Sequence, residues 1–318
     1  PPPPITPPTP DDIFALIDSY VISAALGTAM ESGLFWLLAQ QPLDVESVAG
    51  ELNIPLSRCS CWLQLLCSYD LLEQSDKGYI PSTLAQTAIL EAFSQNTWAF
   101  LAREAHERFP AVNDLPVHIH DPGSVWEAQG LKPPDYFYHL QSSPERAREF
   151  TRMLYEIHLP LATALADSLD MQGVDRMLDL GGGSGVMSFA LLRKYPQLTS
   201  IVFDIPNVCA AGREIASENA MEDRITYHEG DFIRDELPQR LDLVLNCDVG
   251  PYTEAMFQKI HSALNPGGRL VIVDKFAPAK DSAHPTRLHW AFLGSLENPA
   301  RTGTTTPEVE NLQTQTGF

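Results

Sequence analysis

The sequence predicts an α/β chain in which a Rossmann-like domain follows a helical domain of the winged-helix type. An apolar run ending at Leu180 leads into a glycine-rich turn, a helical segment and a second apolar run that ends at Asp204. Residues 11–105 instead show the helical spacing of apolar side chains and one short hairpin pattern. Further apolar runs with the length of buried strands lie near residues 175–180, 200–204, 225–228, 241–246 and 269–274.

The glycine-rich turn at residues 181–185 predicts a nucleotide cofactor. Glycine lets the backbone approach a ligand closely, and the helix that begins there offers free N–H groups. Asp204 follows about 20 residues later, at the end of the next strand, where a carboxylate accepts both ribose hydroxyls. Enzymes that bind NAD share this pattern. The alternative to a cofactor site is a doubly wound domain in which the glycines have only a structural role. The cofactor residues predicted here are Gly181, Gly183, Gly185, Asp204 and Ile205.

A second acidic motif favours S-adenosylmethionine (SAM) over NAD. Asp231 and Phe232 follow Gly230 directly after a predicted strand. An acid beside an aromatic ring suits adenine, because the carboxylate accepts from the amino group and the ring packs on the base. The glycines are also spaced G-G-G-S-G, whereas NAD enzymes carry G-x-G-x-x-G. Residues 265–268, Asn-Pro-Gly-Gly, then introduce the last predicted strand.

The N-terminal half predicts a winged helix. Asp11 and Asp12 indicate the start of one long helix that runs as far as Gln40. Residues 45–80 then have the pattern of helix, turn, helix and short hairpin. Winged helices often bind DNA, but the only basic residue of the second helix is Arg58. We therefore expect an interaction or dimerisation module.

Four segments follow from these patterns: a Pro-rich interdomain linker (1–10), a winged-helix-like dimerisation domain (11–105), a helical connector with substrate-pocket helices (106–168) and a SAM-binding domain (169–318). A connector helix should begin near Ser143, and Pro160 should kink or break it near His158. The Pro-rich start suits a domain excised from a longer polypeptide. A further strand would normally follow Phe318, so truncation is expected there.

The amino-acid composition argues against two classes of binding partner. The 318 residues carry a net charge of −20, and such a surface repels phosphates and anionic lipid. Neither nucleic acid nor a membrane is therefore expected as a partner. The five cysteines are predicted to be reduced, buried thiols of a cytoplasmic protein, and Cys59-Ser60-Cys61 lacks the spacing of a zinc site. No apolar run approaches the length of a transmembrane helix.

After residue 11 the chain resembles the class I SAM-dependent O-methyltransferases, the family of the plant caffeate and flavonoid enzymes, hydroxyindole O-methyltransferase and bacterial antibiotic O-methyltransferases. The resemblance lies in DLGGGSG (179–185), YPQLTSIVFDIPNV (195–208), GDF (230–232) and ALNPGGRL (263–270). It implies SAM as cofactor, S-adenosylhomocysteine (SAH) as product, no metal, and a homodimer. It also implies that Met153, in the segment Phe150-Thr151-Arg152-Met153, packs near the sulfonium.

One motif of the family is missing. The family carries Leu-His-Asp-Trp soon after its fourth strand, and this His is the general base that deprotonates a hydroxyl. The corresponding segment here, LDLVLNCDVGPYTEAMFQKI (241–260), has no His, and its loop is shorter. Asp248 and Tyr252 lie nearest in sequence. If the base comes from elsewhere, the candidates are His158, His284 and His289.

The missing His favours a substrate that needs no enzymic base. A hydroxyl must lose its proton near neutral pH, whereas a β-carboxy thioester that loses CO2 forms its own enolate. The protein would then supply proximity, a dry site and a hydrogen bond to the enolate oxygen. The candidate donors are Tyr252, Asn246, His158, Tyr155 and Arg152, and Asn246 is also a candidate cofactor residue.

The first prediction is therefore a C-methyltransferase of natural-product biosynthesis that acts on a small acyl substrate, with coupled decarboxylation. The substrate would be tethered to an acyl carrier protein, and neighbouring domains of a polyketide or peptide synthase would be partners. Carrier docking would use Arg103, Arg108, Arg146, Arg148 and Arg152. The alternatives are an O-methyltransferase with an unorthodox base, acting on a small hydroxylated metabolite, and a SAM-binding pseudoenzyme.

Overall fold

The structure is a computed structural model that describes residues 9–131, 136–250, 252–276, 285–298 and 304–318. It divides into two compact units, one ending at Phe109 and the other beginning at Pro110. The boundary falls near the start of the predicted connector. The connector helices therefore belong to the second unit.

The long helix predicted from Asp11 to Gln40 is wrong, because the structure has three helices there. These are α1 (Pro10–Ile17), α2 (Ser19–Glu31) and α3 (Leu34–Gln40). The chain leaves helical geometry at Asp18 (φ −84°, ψ 3°) and at Gly33 (φ +71°). The second value is left-handed, a conformation that glycine adopts without strain. Apolar spacing continues across both breaks, so periodicity alone did not reveal them.

The rest of the first unit has the predicted order of two helices and a hairpin. Its elements are α4 (Val45–Glu51), α5 (Leu56–Ser68), β1 (Leu72–Ser75), β2 (Gly78–Pro81), α6 (Thr83–Ala85), a π-helical turn (Gln86–Leu90) and α7 (Gln95–His106). The strands β1 and β2 are antiparallel, with Ser75 opposite Gly78, which confirms the predicted hairpin. The core of the first unit contains fully buried side chains, among them Leu34, Phe35, Leu38, Leu63 and Leu66.

One apolar face of this unit is left uncovered, along α1 and the start of α2. Its side chains are between 45% and 69% exposed: Ile13, Phe14, Leu16, Ile17, Tyr20 and Val21. In the part of the chain that is described, no single helix is long and apolar enough to cross a membrane. The bent pair α1 and α2 meets that criterion only jointly, by length and composition.

The second unit begins with helices: α8 (Phe109–Asn113), α9 (Leu115–His118), α10 (Val125–Ala128), α11 (Tyr136–Ser142) and α12 (Pro144–Ser168). The predicted start of α12 is confirmed, because the Ser143 hydroxyl caps it by accepting from the Arg146 N–H at 3.2 Å. Of the kink or break predicted at Pro160, the break is wrong, since α12 continues through that residue. The buried side chains of Ala162, Leu165 and Ala166 pack the following turns into the core and offset the missing N–H.

A five-stranded parallel sheet forms the centre of the second unit. Its strands are β3 (Arg176–Leu180), β4 (Thr199–Asp204), β5 (Ile225–Glu229), β6 (Leu241–Cys247) and β7 (Leu264–Val273), in the order β5-β4-β3-β6-β7. One face is covered by α12, α13 (Val186–Lys194) and α14 (Pro206–Glu218). The other is covered by α15 (Glu254–Ala263), and α17 (Thr306–Thr316) packs on α15. The helix α16 (Pro285–Glu297) packs on α10. This arrangement confirms the predicted α/β class.

All five cysteines are free, as expected. Cys59 and Cys209 are buried, as expected, and Cys67 and Cys247 are half-buried. Cys61 is exposed, so the expectation of buried thiols is wrong for that residue. Cys61 lies on the solvent side of the amphipathic helix α5. Among the described residues, no group of three or more His, Cys, Asp or Glu side chains could hold a metal ion.

Candidate functional site

Three turns meet at the carboxyl edge of the sheet, next to its central strands. The Gly181 N–H donates to the Phe203 carbonyl at 2.8 Å, and this bond ties the end of β3 to the end of β4. The Gly230 N–H donates to the Asp204 carbonyl at 3.0 Å, which ties the turn after β5 to the same place. Ligands of open parallel sheets bind at this edge. The glycine motif and both acidic motifs therefore belong to one edge of the fold.

The glycine loop needs glycine for two separate reasons. Gly181, Gly183 and Gly185 have φ values of +63°, +58° and +81°, a region that other residues rarely adopt. Gly182 is limited by space, because a Cβ there would lie 2.4 Å from the Asp179 Cγ. A Cβ at Gly183 would meet nothing within 4 Å, so this glycine borders open space.

The Asp204 carboxylate is held in place by the loops beside it. Its Oδ2 accepts from the Gly183 N–H at 3.0 Å, and its Oδ1 accepts from the Ile205 N–H at 2.8 Å. Each carboxylate oxygen has a second lone pair, so capacity remains for two hydroxyls of a ribose. Burial raises the pKa of Asp204 to about 6, although both N–H bonds act in the opposite direction.

Asp179 is a second buried carboxylate beside the loop, and sequence reasoning missed it. Its Oδ2 accepts from the Ser188 hydroxyl at 2.7 Å, and Ser188 is 2.8 Å from the Ser200 hydroxyl. Its Oδ1 has no partner among the residues that the structure describes. Burial raises the pKa of Asp179 to about 6 in spite of the Ser188 bond. A buried acceptor without a donor suits a cationic group of a ligand, such as the ammonium of SAM.

These groups border a cavity of about 270 Å³. Its walls come from α11 and α12, the glycine loop with the start of α13, the ends of β3 and β4, α14, and the segment after β6. The lining residues are Leu140, Phe150, Thr151, Leu154, His158, Asp179, Gly181, Gly182, Gly183, Ser184, Val186, Met187, Asp204, Val208, Cys247, Asp248 and Val249.

His158 is the predicted catalytic residue that lines this cavity. Burial lowers the pKa of His158, the charge of Asp248 opposes that shift, and Lys275 adds to it. The net pKa lies below its usual value, so the imidazole is neutral near pH 7 and able to accept a proton. Asp248 has the left-handed φ of +58°, and its N–H donates to the Val273 carbonyl at 2.8 Å, which holds it at the cavity.

Three predicted residues of α12 are placed away from the cavity lining. The Arg152 guanidinium forms ion pairs of 2.6 Å and 3.2 Å with two glutamates of α14. The Tyr155 hydroxyl donates to the Asn219 Oδ1 at 3.0 Å. Met153 is buried but does not line the cavity, whereas its neighbour Leu154 does.

The remaining candidates also lie outside the lining. The Tyr252 hydroxyl donates to Asp274 in a short hydrogen bond. Asn246 is 2% exposed, and its Oδ1 has no partner within the described part of the chain. The alternation of β6 turns its side chain toward the sheet face that α15 covers. His289 is exposed on α16, and His284 lies outside the described residues.

The predicted adenine motif lies at the end of β5 rather than in the cavity lining. The Asp231 Oδ1 accepts from the Ile233 N–H at 3.0 Å, and the Phe232 ring packs edge-on against Phe203 with centroids 6.3 Å apart. Gly185 and Ile205 are likewise beside the cavity without lining it. Cofactor contacts of these four residues stay a prediction.

Comparison with known proteins supplies the family. Residues 119–318 match the O-methyltransferase domain, and residues 14–91 match the O-methyltransferase dimerisation domain. The chain is 30% identical over 280 residues to the N,N-dimethyltransferase OxyT of Streptomyces rimosus, covering 86% of this chain and 80% of that protein. It is 29% identical over 265 residues to 3-hydroxy-5-methyl-1-naphthoate 3-O-methyltransferase of Streptomyces sahachiroi, covering 82% and 75%.

Solved structures agree with the fold. PigF with SAH superposes with a TM-score of 0.83 at 20% identity and covers 98% of this chain and 94% of the other. Human N-acetylserotonin methyltransferase in complex with SAM superposes with a TM-score of 0.80 at 20% identity, and the match covers 99% of this chain and 94% of the other. The glycine loop, the two acidic motifs and the matched domains agree, and the chain belongs to the SAM-dependent O-methyltransferase family.

Proposed function

We propose that this protein transfers the methyl group of SAM to an oxygen or nitrogen of a small molecule in natural-product biosynthesis, with His158 as the general base. The observation that carries the proposal is the shared cavity: His158 lines it from α12, and the glycine loop and Asp204 line it too. The relatives support this reaction class, since they are named as O-methyltransferases and an N,N-dimethyltransferase.

The residues present fit the cofactor. Asp204 would accept the ribose hydroxyls, and the unpartnered Oδ1 of Asp179 would accept from the ammonium. Asp231 and Phe232 lie outside the lining, in the turn that the Gly230 N–H ties to the Asp204 carbonyl, and would hold the adenine from there. The open space at Gly183 lets the backbone approach the ligand. SAM, when bound, supplies an electrophilic methyl group on a sulfonium.

His158 would take the place of the family's missing base. Its neutral imidazole accepts the proton of the acceptor group as the new bond forms. Asp248 stabilises the imidazolium that results, because its charge favours the protonated form. Phe150, Leu154 and Val249 add apolar side chains to the lining of the same cavity.

The test compares the methyl-transfer rates of two His→Gln variants, both of which must keep the native fold. Because proton transfer by a positioned group contributes about 10²–10⁴-fold, His158→Gln should lower the rate by that order while SAH binding is retained. His289→Gln is the control, since His289 is exposed on α16. Equal rates for both variants would contradict the assignment of the base. Tight SAH binding with no transfer to any acceptor would instead support the pseudoenzyme.

C-methylation of a carrier-bound acyl substrate, with loss of CO2, is the second candidate. Its support is that residues 241–260 carry no His. Against carrier docking, Arg148 and Arg152 are already engaged by Glu214, at 2.7 Å and 3.2 Å. Intact-mass analysis of a malonyl-loaded carrier protein would test it, since a SAM-dependent product that has lost CO2 and gained a methyl is required.

We also propose a homodimer built through the first unit. The matched dimerisation domain begins at residue 14, inside the exposed apolar face of α1. An apolar face of this kind is typical of a surface that another chain covers. Sedimentation velocity would test it, and a monomer at micromolar concentration would contradict it.

A further inference from the structure

Apart from His158, the titratable side chains that give the cavity lining its charge are carboxylates. Three carboxylates border it, those of Asp179, Asp204 and Asp248, while the described lining residues include neither Lys nor Arg. Asp179 is fully buried, so little water screens its charge. An acceptor that carries a carboxylate would meet like charges at short range, whereas a cationic acceptor would be attracted.

Two of these acids are accounted for by the cofactor. Under the proposed function, Asp204 takes the ribose and Asp179 takes the ammonium of SAM. Asp248 remains, one residue beyond the end of β6, the strand that pairs with β3. Asp248 and His158 line the same cavity, and the charge of Asp248 acts to raise the pKa of His158.

A buried hydroxyl supports a polar acceptor in the same cavity. Thr151 lines the cavity from α12 and is 1% exposed, yet its Oγ1 has no hydrogen-bond partner among the described residues. A buried hydroxyl without a partner costs free energy unless a ligand supplies one. Thr151 and His158 lie seven residues apart, two turns of helix, and therefore on the same face of α12.

The nearby lysine does not cancel this charge. The Lys275 Nζ lies 3.7 Å from the Asp248 Oδ2, but the Lys275 side chain is 76% exposed and does not line the cavity. A surface ion pair of this kind is weak. The ammonium of an acceptor inside the cavity can replace it as the partner of Asp248.

We propose that the methyl acceptor is an amine, bound as its ammonium by Asp248 and Thr151 and deprotonated through His158. This inference rests on the proposed function and names its substrate class. The ammonium nitrogen loses one proton to the imidazole, and its freed electron pair forms the N–C bond as the S–C bond of SAM breaks. The products are a methylated ammonium, SAH and one proton, which leaves His158 for solvent.

The experiment uses three probes of one skeleton: phenethylamine, 2-phenylethanol and 3-phenylpropanoate. Titration calorimetry of the SAH-loaded protein measures binding of each probe, and radiolabelled SAM with product mass measures transfer. We expect the amine to bind and gain one methyl, and the alcohol and carboxylate to do neither. Because the Asp248 side chain is 48% exposed and water screens part of its charge, Asp248→Asn should weaken amine binding by roughly two- to fivefold while SAH affinity is kept.

The matched control is Asp223→Asn, which removes the same charge from an exposed position outside the cavity and should leave amine binding unchanged. Thr151→Val should weaken amine binding at nearly constant side-chain volume. Absence of amine binding, a preference for the alcohol or the carboxylate, or equal effects of the two Asp variants would overturn the amine assignment. Failure of SAH to bind would count against the proposed function instead.

Discussion

The buried carboxylate of Asp179 should destabilise the ligand-free protein at neutral pH. Its pKa is raised from 3.8 in the unfolded chain to about 6, so folding favours the protonated form. Stability is therefore greatest below about pH 4 and falls as the pH rises to about 6. At 1.36 kcal/mol per pKa unit, a shift of roughly two units costs about 3 kcal/mol at pH 8. Replacing the acid by its amide removes that cost.

Asp179→Asn should therefore stabilise the ligand-free protein at pH 8 by up to about 3 kcal/mol, which raises the Tm of the second unit by roughly 6–12 °C. At pH 5 the gain should be about half as large. The same variant should bind SAH at least about tenfold more weakly, because the ammonium loses an ionised acceptor. Calorimetry on SAH-free protein at both pH values, and SAH titration, measure these effects.

Asp242→Asn is the control of opposite sign. Burial alone would raise the pKa of Asp242, but hydrogen bonds from Asn265 and from the backbone N–H groups of Arg176 and Asp175 lower it overall. Its amide should lower the Tm at pH 8. A gain from Asp179→Asn that does not depend on pH, or no gain at all, would refute the electrostatic reasoning.

Three further outcomes follow from the site. The rate of methyl transfer should fall on the acid side of the pH profile at a pH below 6.5, because burial lowers the pKa of His158. His158→Gln should remove this acid limb. An acid limb that survives in the variant would contradict the role of the imidazole. Gly182→Ala should abolish SAH binding in an equilibrium titration, since its Cβ would lie 2.4 Å from the Asp179 Cγ; unchanged affinity would show that the loop can move aside. Arg152→Ala should lower the free energy of unfolding, measured in urea, by about 1 kcal/mol or less, because the ion pairs of Arg152 with α14 are partly exposed. The variant should keep its methyl-transfer activity. A large loss of activity would show that Arg152 takes part in the reaction.

The sequence predicted those features of the site that depend on backbone conformation over a few neighbouring residues. The positive φ values at Gly181 and Gly183 and the position of Asp204 at a strand end are set by a few neighbouring residues. Four of the five strands lie within one residue of their predicted bounds, since buried parallel strands appear as short apolar runs. The start of the fifth is wrong, because β7 begins at Leu264 and includes the Asn-Pro-Gly-Gly segment that was predicted to precede it. The breaks of the first helix were missed, because apolar spacing continues through Asp18 and Gly33.

The catalytic side of the site depends on which way each side chain points. Successive residues of α12 differ by about 100° around the helix, so a one-residue difference decides whether a side chain reaches the cavity. Leu154 therefore lines it while Met153 does not, and Arg152 reaches α14 instead. Asp179 was missed for another reason, because its importance comes from burial and a missing partner, which only the packed structure reveals.

The uncovered apolar face of α1 also affects how stability should be measured. Large side chains such as Phe14, Leu16 and Ile17 are 60–69% exposed in the single chain. If a second copy covers them, part of the free energy of folding comes from association, so the Tm should rise with protein concentration. Dilution then acts as a destabilising condition. Variants of the methyl-transfer site are comparable only at one fixed concentration, since a change in assembly would otherwise resemble a change in the site.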